Sequence, residues 1–532
     1  MDRMSELPDF IIHKIMSHLS PKKVAQTSIL SKRWNYLQTS FPILEFNQNH
    51  FMRKGRLTGT GGVLHEKRFV KFVDVTLGRF CRLEYCMEKF RLKVCLFNLK
   101  ISSRIDEWIR LAVEKEVKEF DISPCRIYNA YRDAVYTLPQ TIFSAKLLTT
   151  LRLSSCKIEQ PSDTLMLCSL KSLTLKGVCI NEQMVQKFTS ECPLLEDLLI
   201  CSCWGLKHLR VSKALKLKFI QFHNPSDKLV SVEIIAPSLQ VCWLVVNYSS
   251  RLCIDMAGCT HLKELHVNGG SFTDQDFHQL ILKFPFLEHL YVYKSMLLER
   301  IIISSDRLKR LKIRSCPGLK AIHLDTPNLI SFSYYLNWIP IAVTNAPYSY
   351  WKVSIRPYSD LDTSWFMNLT KFLGVANQIE GLFLSLTLKK ISFNLEGVRE
   401  SFASFRCQVP TLNLSVNVCA GVPFSDYRAL LDGLLWSCCP WTLHVTATGE
   451  DEHKFLQWLY EELRNRCVNC CNSHNIKCWR HYLKDVKILS TLPMEDWRRK
   501  NRKLLNRNDD DLRDVWPINQ HVIMSFNLDW VQ

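Results

Sequence analysis

The sequence predicts an α/β protein in which a short three-helix module precedes a curved solenoid of strand-centred repeats, closed by atypical strand–helix units. Three observations lead there. Between Leu148 and Leu329 a pattern of leucines spaced LxxLxL recurs nine times at intervals of 21 to 25 residues, the period of a solenoid that lays down one strand per turn. The first 46 residues space their apolar side chains three and four apart instead, as helices do. At 532 residues the chain also exceeds what one compact core holds.

Leu7-Pro8 opens the first helix, since proline suits a turn that needs no backbone donor. Ile11, Ile15 and Leu19 fall four apart, with Ile12 and Met16 one place round the cylinder, which gives a wide apolar face. Ser20-Pro21 is a stop followed by an N-cap and a first helical residue. Val24 and the Ile29-Leu30 pair continue the apolar pattern, and Ser31 caps a third helix carrying Trp34 and Leu37. So much apolar surface on about 40 residues calls for a partner surface to complete its burial.

This stretch resembles an F-box in its plant form. Leu7, Pro8, Ile11, Ile15, Leu19, Val24, Ser28, Leu30, Ser31, Lys32, Arg33 and Trp34 fall in the family's order, and Phe10 stands where an acidic residue is commoner. The resemblance implies docking on the Skp-family linker of an SCF ubiquitin ligase, joined through a cullin to a RING subunit. The residues it implies for linker binding are Leu7, Pro8, Ile11, Ile15, Leu19, Val24, Leu30, Ser31 and Trp34.

Next, Arg53 to Gly62 (RKGRLTGTGG) reads as a glycine-rich linker. Its GTGG lacks the Lys-Ser/Thr and the preceding strand of a phosphate cradle. Glu66, Phe69, Phe72, Val73 and Leu77 mark a helix, Phe90 to Val94 a strand, Trp108 to Val113 a helix and Val117 to Ile122 a strand. The repeats start at Leu148, Leu170, Leu195, Leu217, Leu239, Leu262, Leu287, Leu308 and Leu329. Cys156, Cys203, Cys316 and Asn247 occupy the place where leucine-rich repeats put Asn or Cys, which accounts for these three cysteines without metal or redox chemistry. A weaker second set at Leu206, Leu229, Arg251, Leu298 and Leu319 gives the returning segment a short strand of its own. Helices are expected from Asn181 to Glu191 and from Asp274 to Phe284, where the interval lengthens to 25.

Beyond Asn345 the period lengthens. Ile379 to Leu386, Val409 to Val416, Pro440 to Val445 and Leu483 to Ile488 alternate as strands; Trp365 to Phe372, Tyr427 to Ser437 and His453 to Arg464 are helical by spacing. His521 to Trp530 reads as the last strand. Leu430 to Pro440 (LLDGLLWSCCP) and Ile476 to Ile488 (IKCWRHYLKDVKI) resemble the C-terminal, FBD-like region of plant F-box/leucine-rich-repeat proteins. The expected domains are therefore an F-box at 1–46, a linker and helix at 47–89, an α/β horseshoe of repeats at 90–344 and capping units at 345–532.

Within each LxxLxL the leucines point inward and the residues between them point out, so stacking builds columns of outward side chains. Early columns are small and polar; from Phe219 to Tyr335 they are aromatic and basic. Phe219, His223, Trp243, His266, His289, Tyr291, Tyr293, Arg310, Lys312, Arg314 and Tyr335 are the candidate target-binding residues, types enriched in binding hot spots. They suit an acidic or phosphorylated segment. The competing reading is that other segments cover these aromatics and make them core.

Other chemistry is weakly signalled. The cluster Cys467, Cys470, Cys471, His474, Cys478 and His481 has zinc-like ligand types, but six candidates crowd within fifteen residues where structural zinc uses two separated pairs. It reads as a cysteine-rich surface loop, and neither metal nor cofactor is expected. Trp497 to Lys503 (WRRKNRK) is a basic run followed by Asp509, Asp510, Asp511 and Asp514, an exposed, self-compensating insertion. There is no GxSxG, HExxH or Walker motif, so an enzyme is not expected. The net charge of +18 favours an acidic partner. With no signal peptide and no membrane-length apolar run, the expectation is a cytoplasmic or nuclear protein. Two rival readings stand beside a ubiquitin-ligase adaptor: an F-box scaffold or small-molecule sensor, and a basic nucleic-acid-binding repeat protein, which steep salt dependence would reveal.

Overall fold

The computed structural model describes residues 6–19, 21–51, 60–96, 101–126, 135–161, 164–224, 228–247, 253–335, 351–357, 360–375, 379–388, 391–394, 407–449, 451–465, 478–493 and 522–531. The chain forms two compact units, Met1–Leu262 and Lys263–Gln532.

The first unit begins with α1 (Asp9–Ser17), α2 (Pro21–Thr27) and α3 (Lys32–Thr39). Ser31 caps α3 by accepting from the Trp34 amide at 3.2 Å, satisfying one of the donors that every helix start leaves over. Ile12, Met16, Val24, Trp34, Leu37 and Phe41 form the module's core. Ile29 and Leu30 do not continue it. They sit in the turn after α2, whose amides bond back to Gln26 and Thr27, and both are exposed.

β1 (Ile43–Asn47) follows directly, then α4 (Thr60–Cys81). Residues 60–62 of the expected glycine-rich linker are thus the first turn of a helix; 52–59 lie outside the described residues. β2 (Lys89–Leu96), α5 (Ser102–Glu114) and β3 (Glu119–Arg126) come next. The repeat strands of this unit are β4 (Thr150–Ser154), β5 (Ser172–Lys176), β6 (Asp197–Cys201), β8 (Phe219–Asn224) and β10 (Val241–Val246). They extend β1, β2 and β3 into one parallel sheet, paired without a register shift. The returning segments pair as a smaller parallel sheet of β7 (His208–Val211), β9 (Ser231–Ile234) and β11 (Cys253–Asp255). Only one repeat here carries a helix, α6 (Glu182–Glu191), among the described residues, capped by Asn181.

The second unit repeats the plan with β12 (Glu264–Asn268), β13 (His289–Tyr293), β15 (Arg310–Arg314) and β17 (Ser331–Tyr335). The helix α7 (Asp274–Leu282) and the pair β14 (Arg300–Ser304) and β16 (Ala321–Asp325) return. All nine main strands begin two residues after their leading leucine, as the spacing requires. β18 (Trp351–Ile355), which the spacing did not mark, links β17 to β19 (Ile379–Leu388), β20 (Cys407–Val418) and β21 (Cys438–Gly449), all parallel. Helices α8 (Thr363–Val375), α9 (Phe424–Ser437) and α10 (Glu452–Arg464) follow β18, β20 and β21. The sheet then reverses: β23 (Val522–Trp530) runs antiparallel between β21 and β22 (Leu483–Pro493). Arg480 fastens this end to the helices, reaching Asp432 of α9 at 2.8 Å and Glu462 of α10 at 2.5 Å.

One turn recurs after the repeat strands. Ser155, Gly177, Ser202, Gly269, Lys294 and Ser315 all have φ between 51° and 87°, and each donates its amide to the end of the next strand. Only two are glycine, so the ladder bond holds the other four in a left-handed conformation that side chains disfavour. The next residue is buried, which explains Cys156, Cys203 and Cys316. Burial pushes these thiols up to about 12, 11 and 11, so they remain protonated.

Candidate functional site

Two surfaces follow from this architecture. The first is the helical module. Of its nine implied docking residues, Val24 and Trp34 lie in the core, Leu7, Ile11, Ile15, Leu19 and Ser31 are half-buried, and Pro8 and Leu30 are exposed. Trp34, at 1% exposure, can shape a docking surface but cannot reach a partner directly. Three exposed residues were missed: Phe10, Ile29 and Tyr36, at 70%, 85% and 52%. The signal was available for Phe10, which broke the pattern where an acidic residue is commoner; the exposure of Ile29 follows from α2 ending at Thr27, which apolar spacing does not mark. Arg33 ties the module together by donating to the Leu7 carbonyl at 2.6 Å and to the Asp9 carboxylate.

The second surface is the outward side of the repeat strands. In the first unit Phe219 packs edge-on against Trp243 with ring centroids 5.8 Å apart, and His223 shares their face; all three are half-buried. In the second unit His266 stacks on Tyr291 at 4.0 Å, and both His266 and His289 contact the Glu264 carboxylate, at 2.7 and 3.3 Å. The Lys312 ammonium and the Arg314 guanidinium both lie over the Tyr335 ring, at 5.5 and 5.7 Å. Here the expectation of a fully displayed stripe needs correction. Tyr291, Lys312 and Tyr335 are buried, at 8%, 4% and 1%, so they serve as packing beneath any contact surface. His266, His289, Tyr293, Arg310 and Arg314 keep partial exposure.

Cys467, Cys470, Cys471 and His474, like the run from Trp497 to Asp514, lie outside the described residues. Cys478 is buried rather than part of a surface loop, and His481 ends a short 3-10 turn, not a strand.

The comparisons agree with the geometry. A model of the F-box domain matches residues 4–46, the three helices and β1 up to Phe46. A second, described as At1g61320/AtMIF1, LRR domain, matches residues 84–257. The chain carries an F-box and a leucine-rich-repeat domain. Arabidopsis thaliana supplies similar proteins. An F-box/FBD/LRR-repeat protein is 30% identical over 42% of this chain and 50% of its own length. An FBD-associated F-box protein is 28% identical over 52% and 60%. An F-box/LRR-repeat protein is 25% identical over 77% and 88%. The chain thus spans about half the length of the first relative. The repeat-domain match stops short of β12, and the second unit's repeats are recognised by their identical strand placement and turns.

Proposed function

We propose that this chain is the target-recognition subunit of an SCF-type ubiquitin ligase, a non-catalytic adaptor. The observation that carries the proposal is an F-box whose turn between α2 and α3 holds Ile29 and Leu30 in solvent. Phe10 and Tyr36 of the same module are exposed as well, and exposed apolar side chains of this kind are what a Skp-family linker would bury. That linker would join the chain, through a cullin, to a RING subunit. The repeat strands would hold the target, so that ubiquitin transfer becomes effectively intramolecular. The partly exposed Phe219, His223, Trp243, His266, His289, Tyr293, Arg310 and Arg314 are the proposed contacts, and the net charge of +18 favours an acidic or phosphorylated target segment. The adaptor would act in the cytoplasm or nucleus. No helix among the described residues is long and apolar enough to cross a membrane.

Copurification of the full chain with a Skp-family linker tests the first half. Ile29→Asp with Leu30→Asp should weaken linker binding by about 30-fold or more, the loss of at least one hot-spot residue, with an unchanged melting temperature. Linker binding equal to the wild type would overturn the proposal.

A further inference from the structure

A cavity lies inside the first unit, where the F-box meets the first strand. There a pocket of about 300 Å³ opens among the ends of α1 and α3, the middle of α2, β1 and α4. This volume is at the small end of sites that enclose organic ligands. Its apolar lining includes Leu19, Phe41, Phe46 and Phe72, and Phe72 is 45% exposed, so hydrocarbon faces the opening.

The rim decides the ligand. Three charged side chains line it: Glu45, Arg79 and Lys89. The Glu45 carboxylate is already held by Lys89 at 3.1 Å and by Arg91 at 3.3 Å. The Arg79 side chain is exposed and has neither hydrogen bond nor ion pair among the described residues. Among the described residues the uncommitted charge lining the pocket is therefore one guanidinium, whose planar fork matches a carboxylate. We propose that this pocket binds a small monocarboxylate, its apolar body against Phe41, Phe46 and Phe72 and its carboxylate on Arg79. A neutral apolar ligand would leave Arg79 unused, and a dianion would find, among the described residues, one free cation where it needs two. The lining comes from the F-box helices, β1 and α4, so an occupant ties the F-box to the start of the sheet. The inference is independent of what the repeats bind.

Isothermal titration of the full chain with 4-phenylbutyrate and with 4-phenylbutan-1-ol tests it. A probe of about a dozen heavy atoms should bind with a dissociation constant on the order of 1 mM. The alcohol should bind about tenfold more weakly, the difference a charge-assisted bond makes at a partly exposed site. Arg79→Ala should abolish that preference while leaving the alcohol's affinity unchanged, and Phe72→Ala should weaken both. Equal affinity for acid and alcohol in the wild type, an acid preference that survives Arg79→Ala, or binding of neither probe would overturn the proposal. Because the Arg79 side chain is exposed and makes neither hydrogen bond nor ion pair among the described residues, its variant should keep the fold, and an unchanged melting temperature verifies this.

Discussion

The two units use one strand pattern to make opposite surfaces. In the first, the register places Glu45, Arg91, Asp121, Arg152, Thr174, Leu199, Gln221 and Trp243 in one row across eight strands. None is buried, and its charges alternate in sign along the first four strands. In the second, the equivalent row runs His266, Tyr291, Lys312, Ser333, Ser354, Phe383, Asn413, His444 and Ser525. It is as polar as the first, yet Lys312, Ser333, Asn413 and Ser525 are all at or below 5% exposure. Period-two alternation tells which side chains share a face; whether that face meets water is a separate fact. At the buried positions of the second row, polar groups must find partners inside the protein. His444 Nδ1 pairs with Ser525 Oγ at 2.7 Å, whereas Ser333 Oγ and, one row over, Thr446 Oγ1 find no partner among the described residues.

The sharpest way to break this comparison is to put the same charge on both faces. Thr446→Asp places a carboxylate at a fully buried site without a cation in register and should cost about 3–5 kcal/mol, enough to lower the soluble yield. Thr174→Asp sits half-exposed beside Arg152 in register and should change stability by less than about 0.5 kcal/mol. Denaturant midpoints of the two variants measure the difference directly. Equal costs would mean that the two faces do not differ.

His444 offers a test by pH. Burial lowers its pKa from 6.5 to about 4. Above pH 6.5 the imidazole is neutral in both folded and unfolded chains and contributes no pH dependence. Between 6.5 and 4 the unfolded chain binds a proton that the folded chain refuses, so stability falls as pH falls, by up to about 3 kcal/mol. His444→Gln should flatten that part of the profile while sparing the carboxylate titrations common to both proteins. Urea midpoints at pH 7 and 4.5 for the pair provide the measurement. An identical drop in both would show that His444 is hydrated.

How much was legible beforehand follows the same division. The leading leucines gave all nine main strands, and the weaker set gave β7, β9, β11, β14 and β16, because a side-chain period is a local property of the chain. The F-box order was legible for the same reason. The fate of Ile29 and Leu30 was not, since it depends on α2 ending at Thr27, a single-residue matter that apolar spacing does not resolve. Nor was the burial of Lys312 and Tyr335, which is set by what packs over a strand and not by the strand's own alternation. The reversal at β23 escaped too: a strand's direction leaves no mark on its own residue pattern. The pocket beside Phe72 joins residues up to 73 positions apart, from Met16 to Lys89, which no periodicity brings together.

The smallest expected effect is the most discriminating for the exposed row. Arg91 donates to Asp121 at 2.9 Å and to Glu45 at 3.3 Å with its side chain 42% exposed. Pairs of this kind contribute about 0.2–1 kcal/mol each, because water already solvates both partners and the long side chain loses freedom on pairing. Arg91→Ala leaves Glu45 its bond to Lys89, so the expected loss is about 1 kcal/mol or less, shrinking further in 1 M salt, where screening acts over about 3 Å. The penalty of Thr446→Asp, by contrast, should barely respond to salt, since ions do not reach it. A salt-insensitive loss of several kcal/mol at Arg91 would place the first row in the same dry environment as the second, and the candidate target-binding face would then have to lie elsewhere than on these strands.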